Sequence, residues 1–553
     1  MSRKKKSHKK NKIYIGNWTQ HRPYKGHNSV DLYYLGVANR VLHAIESDPD
    51  YDYLVNILGR EWNITMAIFL TSYLEDVVSE THIWNTFTDK HQELYGTPFR
   101  FYSSGANHNP EEVSLGAIKF LLWYYTNAIQ KNTLIFPEME FISNVGSTVY
   151  DILDEEWEVA PENSKLKSCY HLDPNESDFF KVRDVMKTLL LNTYLFQIDT
   201  VPRLIESSQE LSQEERHKSH FEVLFHGHVD DCIHSFRTKL LNMSSKEWLA
   251  ALLGKHHNLT SHISDLSQKV TGYFFIKGED EDHILLEHLA SAKKFKLIKK
   301  STKVTFTKAN DRICHISLIK WKGVWWNSGP LIELDFNANL VLDEKRSPDS
   351  LAAVSFLDHE TQQVENDLKL QLDAFLEYND GSQFAFISSN KIDDFCNSFM
   401  AYYSESQKSC ASDKEAALKR AREAGYINPK NNLTLISSSI RESGLVYFNT
   451  KSGIEIVFGL NAAFPLDNNP YFPQDDIRAI EGSANNLIMT DSCSAELVRH
   501  WIKLCKDKID YFETTHGKYI NENLDFLLRF WKLNEYHSIP KMAYVGHENT
   551  GFV

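Results

Sequence analysis

Apolar positions in the first half of the chain recur at intervals of three and four. In DLYYLGVANRVLHAIES, Leu32, Leu35, Val37 and Val41 approximate one helical face. A long helix is predicted from Ile64 to Phe87, with a turn at Tyr95-Gly96. Asn109-Pro110 then supplies an N-cap and a first helical residue, with Glu111 and Glu112 favoured by the helix dipole. The helix VSLGAIKFLLWYYTNAIQ that follows is apolar on nearly every side, as expected at the centre of a bundle. Ser147 to Asn163 reads as a helix ended by Pro161, and VRDVMKTLLLNTYLFQ as another. SSKEWLAALLGKHHN closes the run, with Ser244 or Ser245 as N-cap and Gly254 as C-cap.

From Gly272 to Phe336 the period changes to two. Phe295 and Leu297 alternate with Lys296, while Cys314, Ile316 and Leu318 face away from His315 and Ser317. The runs are short, aromatic-rich and broken by GEDED, ASAKK, KANDR and NSGP, a spacing that predicts a small antiparallel β-barrel or curled sheet. Helical patterning returns after Ser347 and is interrupted by one short strand, QFAFISS. NKIDDFCNSFMAYYSESQK and DKEAALKRAREAGY, the latter capped by Gly425, are expected helices. LVYFN and IEIVFGL form a hairpin across Thr450 to Gly453, and NLIMTDSCSAELVRHWIKLCKDK reads as strand then helix. In that helix Ser494 is the N-cap and Leu497, Trp501 and Leu504 face inward; LDFLLRFWKL is the last apolar helix. The expected class is α+β and multidomain: a basic disordered tail (1–12), an α-helical domain (13–255), a small β domain (268–345), a helical segment with one strand (347–430) and a mixed α+β C-terminal domain (431–553).

Composition refines this picture. At 553 residues the chain exceeds one hydrophobic core. Its net charge is −14, yet residues 1–12 hold seven basic side chains and no acid, so the remainder carries about −21. An acidic body disfavours broad contact with a phosphate backbone, leaving the tail for RNA or an anionic surface. Seven scattered cysteines without a C-x-x-C pair argue against a zinc ribbon or a disulfide framework and fit a reducing cytoplasm. No apolar stretch follows the basic start as a signal peptide requires, and the most apolar run, Ile118 to Tyr125, is far short of a membrane span. A cytoplasmic protein with no membrane partner is expected.

Candidate chemistry is sparse. His226-x-His228-x-Asp230 matches the start of a metallohydrolase ligand motif, which sits on a loop after a strand. Here Phe221, Leu224, Phe225, Val229, Cys232 and Phe236 keep helical rhythm, so His226, Asp230 and His234 share one stripe and His228 points away. Asp335, Asp343 and Lys345 resemble a nuclease's two carboxylates and lysine at an unusually short spacing, and Asp76 and Glu80 form a one-face carboxylate pair with Ser72 one turn before. Trp325 and Trp326, adjacent on a strand, point to opposite faces. One of them, with Lys320, Trp321 and Lys322, would form the kind of platform on which single-stranded nucleic acid stacks. No P-loop, dinucleotide-binding glycine motif, nucleophile elbow or H-E-x-x-H is present. The expectation is a non-catalytic binding protein, engaging RNA, the translation machinery or another protein, with no cofactor. The alternatives are a metal-dependent hydrolase or nuclease, and a protein–protein adaptor.

Blocks such as YLEDVVSETHIWNTF, KEWLAALLGKHH, KGEDEDHILLEHLASAKKFKLIKKS, WKGVWWNSG and LVYFNTKSGIEIVFGLNAAFPLDNNPYF resemble an uncharacterised bacterial family, a domain of unknown function. The resemblance runs from about residue 13 to 535 and implies one integrated cytoplasmic protein. It carries over no activity, cofactor or site residue.

Overall fold

The structure, a computed structural model, describes residues 11–59, 62–97, 111–215, 221–302, 312–354, 357, 361–406 and 443–538. The tail before residue 11, the Asn109-Pro110 cap and the helix expected over residues 413–426 lie outside the described residues. The chain divides into two compact units, Met1–Leu266 and Ser267–Val553.

Apart from one isolated bridge, Arg237 to Ser244, every described element of the first unit is helical. The order is α1 (Ile15–Gln20), α2 (Ser29–Ser47), α3 (Tyr51–Leu58), α4 (Trp62–Val78), α5 (Ile83–Tyr95), α6 (Leu115–Ile129) and α7 (Glu140–Trp157). It continues through α8 (Ser164–Ser168), α9 (Phe179–Asn192), α10 (Tyr194–Glu215), α11 (Phe221–Ser235), α12 (Ser245–Leu253) and α13 (Thr260–Ser264). The apolar helix α6 is central, burying Phe120, Leu121, Trp123 and Tyr124 as its pattern requires. Ser244 caps α12 in a box with Glu247, and Gly254 ends it at a positive φ.

Three expectations in this unit are corrected. The inward face of α2 is Tyr34, Val37, Ala38, Val41, Leu42 and Ile45, whereas Leu32 is 53% exposed. The long helix over 64–87 is two helices, parted where Glu80 and His82 take positive φ. Its Asp76 is buried instead of sharing a surface face with exposed Glu80, and accepts hydrogen bonds from the Ile83 and Trp84 amides at 3.1 and 2.8 Å. VRDVMKTLLLNTYLFQ likewise breaks, at Thr193, whose backbone is extended.

In the second unit β1 (Val270–Glu279), β2 (His283–His288), β3 (Lys294–Ile298), β4 (Ile313–Trp321) and β5 (Val324–Leu334) form a curled sheet. Its order is β1-β2-β3-β5-β4, with β4 returning to β1. The sheet is mixed, not purely antiparallel: β3 meets β5 in parallel through the single pair Leu297 and Trp325. Val270, Phe274, Leu286, Leu297, Ile316 and Leu318 fill its interior. Ser317, expected on a wet face, is buried with its hydroxyl 2.8 Å from that of Thr271. NSGP is not a break between strands. It lies inside β5, where Ile316 pairs with Leu331 but Leu318 with Asn327, so Ser328, Gly329 and Pro330 bulge out of the ladder. A bulge accommodates a proline that cannot donate to the ladder.

Next come α14 (Ala338–Arg346), α15 (Pro348–Ala352), α16 (Thr361–Tyr378), β6 (Phe384–Ser388), α17 (Ile392–Ser406), β7 (Ser443–Asn449) and β8 (Gly453–Phe458). The chain then runs through α18 (Ile477–Met489), α19 (Ala495–Cys505), α20 (Thr515–Glu522) and α21 (Leu524–Trp531). Strands β6-β7-β8 form an antiparallel sheet in that order. Ala385, Val446, Phe448 and Ile454 bury one face with Phe375 and Phe399 of α16 and α17. On the other face Phe384 and Tyr447 meet His500 of α19, while Phe384 and Phe386 meet Phe464. NLIM, expected as a strand, ends α18. Ser494 does cap α19, and Leu497 and Trp501 are buried, but Leu504 is 39% exposed.

Candidate functional site

The tryptophan-bearing hairpin turns at Lys322 and Gly323, both at positive φ. Trp321 and Trp326 are 1% and 3% exposed, so neither offers a ring face to a base. Trp325 is half-buried, edge-on to Phe295 with ring centroids 5.0 Å apart. Lys320 and Lys322 stay exposed; Lys322 Nζ lies 5.3 Å from the Trp321 ring, and Lys300 Nζ 4.7 Å from that of Trp326. Of the tryptophans considered for a stacking platform, Trp321 and Trp326 are thus buried, and Trp325 packs against the cluster that fills the sheet's interior.

His226, Asp230 and His234 share a stripe of α11, as the helical rhythm requires. Asp230 is buried 3.5 Å from Arg183, His234 stacks on Phe179, and His226 is exposed. His228 lies apart, its Nε2 2.8 Å from the Ser207 hydroxyl. Asp335 is 97% exposed beside Arg312, and Asp343 and Lys345 lie on α14, a helix without buried residues. Among the described residues no three His, Cys, Asp or Glu side chains are placed to hold a metal ion, and no helix is long and apolar enough to cross a membrane.

A better-formed site lies in the helical unit. A cavity of about 480 Å³ is bounded by α4, α6, α9, α10 and α11, with Gln20 and His21 at its edge. Ile68, Phe69, Tyr125 and Leu191 form its apolar wall. Phe69 is held by Tyr124, Tyr125 and Tyr194, with ring centroids 5.4–6.2 Å apart. α9 ends at the extended Thr193, and α10 carries Pro202, which lines the cavity and has no amide to donate within the helix.

The polar rim is held by a buried network. Arg22 pairs with Glu75, donates to Ser72 Oγ at 3.2 Å, and lies 3.7 Å from the Trp18 ring. Asn163 donates to Glu75 and to the Tyr24 hydroxyl, each at 2.7 Å, while Tyr24 and Trp18 donate to Asp31 at 2.7 and 3.0 Å. Burial pushes the Glu75 carboxyl up against the pull of Arg22. This network fixes residues 18–24, which carry Gln20 and His21. Burial lowers the His21 pKa, with a Gln197 hydrogen bond opposing and Arg22 adding to the effect, so its imidazole is neutral near pH 7.

Among the described wall residues there is one full cation, exposed Lys187, and no carboxylate. Neither Lys187 nor Asn192 makes a side-chain hydrogen bond or ion pair with another described residue. Among its described residues the wall carries no serine or cysteine. The wall is an apolar trough with amides, an imidazole and an ammonium at its rim, the make-up of a ligand pocket. None of these residues announces itself in sequence, because they come from separate segments. No curated protein and no solved structure matches the chain. Residues 12–312, more than half of the chain and all of this cavity, match the family described as "Protein of unknown function (DUF3843)", and the chain belongs to that family.

Proposed function

We propose that the protein is a non-catalytic binder of a small amphipathic anion, held in the helical unit with its apolar body against Phe69 and Leu191 and its charge toward Lys187. The observation that supports this reading is a cavity wall with no carboxylate among its described residues, in a chain of net charge −14. Its size falls in the range of about 300–1,000 Å³ typical of ligand sites. Neutral His21 with Gln20 and Asn192 adds hydrogen-bonding groups at the same rim without a competing charge.

Titration calorimetry on the full chain with decanoate, decanol and decyltrimethylammonium tests it. Decanoate is expected to bind best and the cation not at all. Lys187→Glu should weaken decanoate by about tenfold, the scale of one rim charge. Val201→Phe, which intrudes on the cavity, should abolish binding without lowering the melting temperature. Equal affinity for all three amphiphiles, no binding, or an unchanged decanoate affinity in Lys187→Glu overturns the reading.

A further inference from the structure

The second unit has an open sheet edge. In the order β6-β7-β8, β6 is an outer strand, with no strand beyond it among the described residues. The Phe448 amide donates to the Gln383 carbonyl at 3.1 Å, which sets the alternation of the ladder. Gln383, Ala385 and Ile387 turn their backbone groups toward β7, while Phe384 and Phe386 turn theirs outward. The Phe384 carbonyl is already engaged, accepting from Asn379, Asn468 and Ser382 at 3.0, 3.2 and 2.9 Å. Nothing comparable covers Phe386 among the described residues.

A groove of about 750 Å³ runs along this edge and is walled from both faces of the sheet. Leu376 and Phe395 come from the α16 and α17 side, Leu466 and His500 from the α19 side. Two exposed carboxylates, Asp380 and Asp467, line it against one ammonium, Lys508, and neither carboxylate has an ion-pair partner among the described residues. Natural sheets blunt exposed edges with lysine, proline, bulges or covering segments. β6 contains neither lysine nor proline, and its described ladder to β7 runs without a bulge.

We propose that the outer edge of β6 is a docking site for an extended, cationic peptide segment of another protein, which adds as a fourth strand. Phe386 supplies the backbone donor and acceptor, the two apolar walls take alternate side chains, and Asp380 and Asp467 select positive charge. This site is independent of the helical-unit cavity, and either can fail alone.

The test uses the full chain and a fluorescent library of short peptides that alternate valine and threonine between flanking lysines. Two controls accompany it: the glutamate-flanked library and the lysine peptides with N-methylated backbones. Binding is read by anisotropy and by hydrogen exchange at the Phe386 amide. The lysine peptides should bind and protect that amide. Glutamate flanks should weaken binding by about tenfold or more, and the double variant Asp380→Lys, Asp467→Lys should reverse the preference while keeping the parent melting temperature. N-methylation should abolish binding, since strand addition needs the peptide amides. The proposal is overturned if no lysine peptide binds, if charge or N-methylation makes no difference, or if the Phe386 amide is already protected in the free chain, which would place the chain's own residues on the edge.

Discussion

Two buried polar side chains set testable consequences of charge. His288 ends β2, with Nδ1 2.9 Å from the Ser291 hydroxyl and Nε2 toward Gly272, where an added Cβ would come within 3.0 Å of it. Burial pushes its pKa down from 6.5 to about 4, with Lys293 adding to the effect. The unfolded chain therefore binds the extra proton first, so the stability His288 contributes is whole above its unfolded pKa and is lost as pH falls through the folded value. Urea midpoints should decline from about pH 6.5 toward pH 4, and His288→Phe should flatten that component. An unchanged slope in the variant rules the assignment out. Arg22 is the second case. Removing one partner of a buried pair leaves the other charge uncompensated, so Arg22→Met should destabilise by about 3–5 kcal/mol. Adding Glu75→Leu should recover much of that loss in chemical denaturation; a double variant no better than the single one would show that the pairing with Glu75 is not what holds the segment.

Elements were legible in the sequence where their signals are local. The Ser244 to Gly254 helix carries both of its caps within a few residues of its apolar face, and the structure keeps them. The hairpin at Thr450 to Gly453 and the alternation of Phe295, Lys296 and Leu297 are similarly self-contained. The break between α4 and α5 was not legible, because Val77, Val78, Ile83 and Trp84 continue the apolar pattern across it. What stops α4 is a buried carboxylate that caps the next helix: Asp76 accepts from the Ile83 and Trp84 amides, from Tyr194 and from Thr81. Asp76→Ala should cost about 2–3 kcal/mol by orphaning buried donors, with faster hydrogen exchange at residues 83 and 84 than elsewhere in α5. Uniform exchange along α5 would show that the cap does not hold its first turn. The cavity escaped sequence reading for a related reason. His21, Phe69, Tyr125 and Lys187 meet only through tertiary packing, and each alone looks like ordinary core or surface. The tryptophan platform departs in another way: alternation rightly leaves one of Trp325 and Trp326 buried, but it gives no sign that Trp321 is covered as well.

At the scale of the whole molecule, the family match and the fold have different borders. The match runs to Arg312, past the end of the helical unit at Leu266 and through β1, β2 and β3, but stops before β4 and β5. Those last two strands complete the curled sheet. β4 pairs with β1 from Val270 to Phe275, and with β5 along most of its length. Cys314, Ile316 and Leu318 of β4 fill the interior alongside Phe274 and Leu286. A chain cut at residue 312 would keep three strands, strip both outer ladders, and expose Val270, Phe274 and Leu297 to water, which is the condition for edge-to-edge association. A chain cut at residue 266 removes no strand partner and falls at the border between the two compact units. Residues 11–266 should therefore elute as one helical species with a cooperative melt, whereas residues 11–312 should associate or precipitate at the same concentration. Light scattering after size exclusion decides between them. If 11–312 proves monomeric with a strand signature in circular dichroism, the first three strands are stable without the last two, and the sheet's integrity does not depend on β4 and β5.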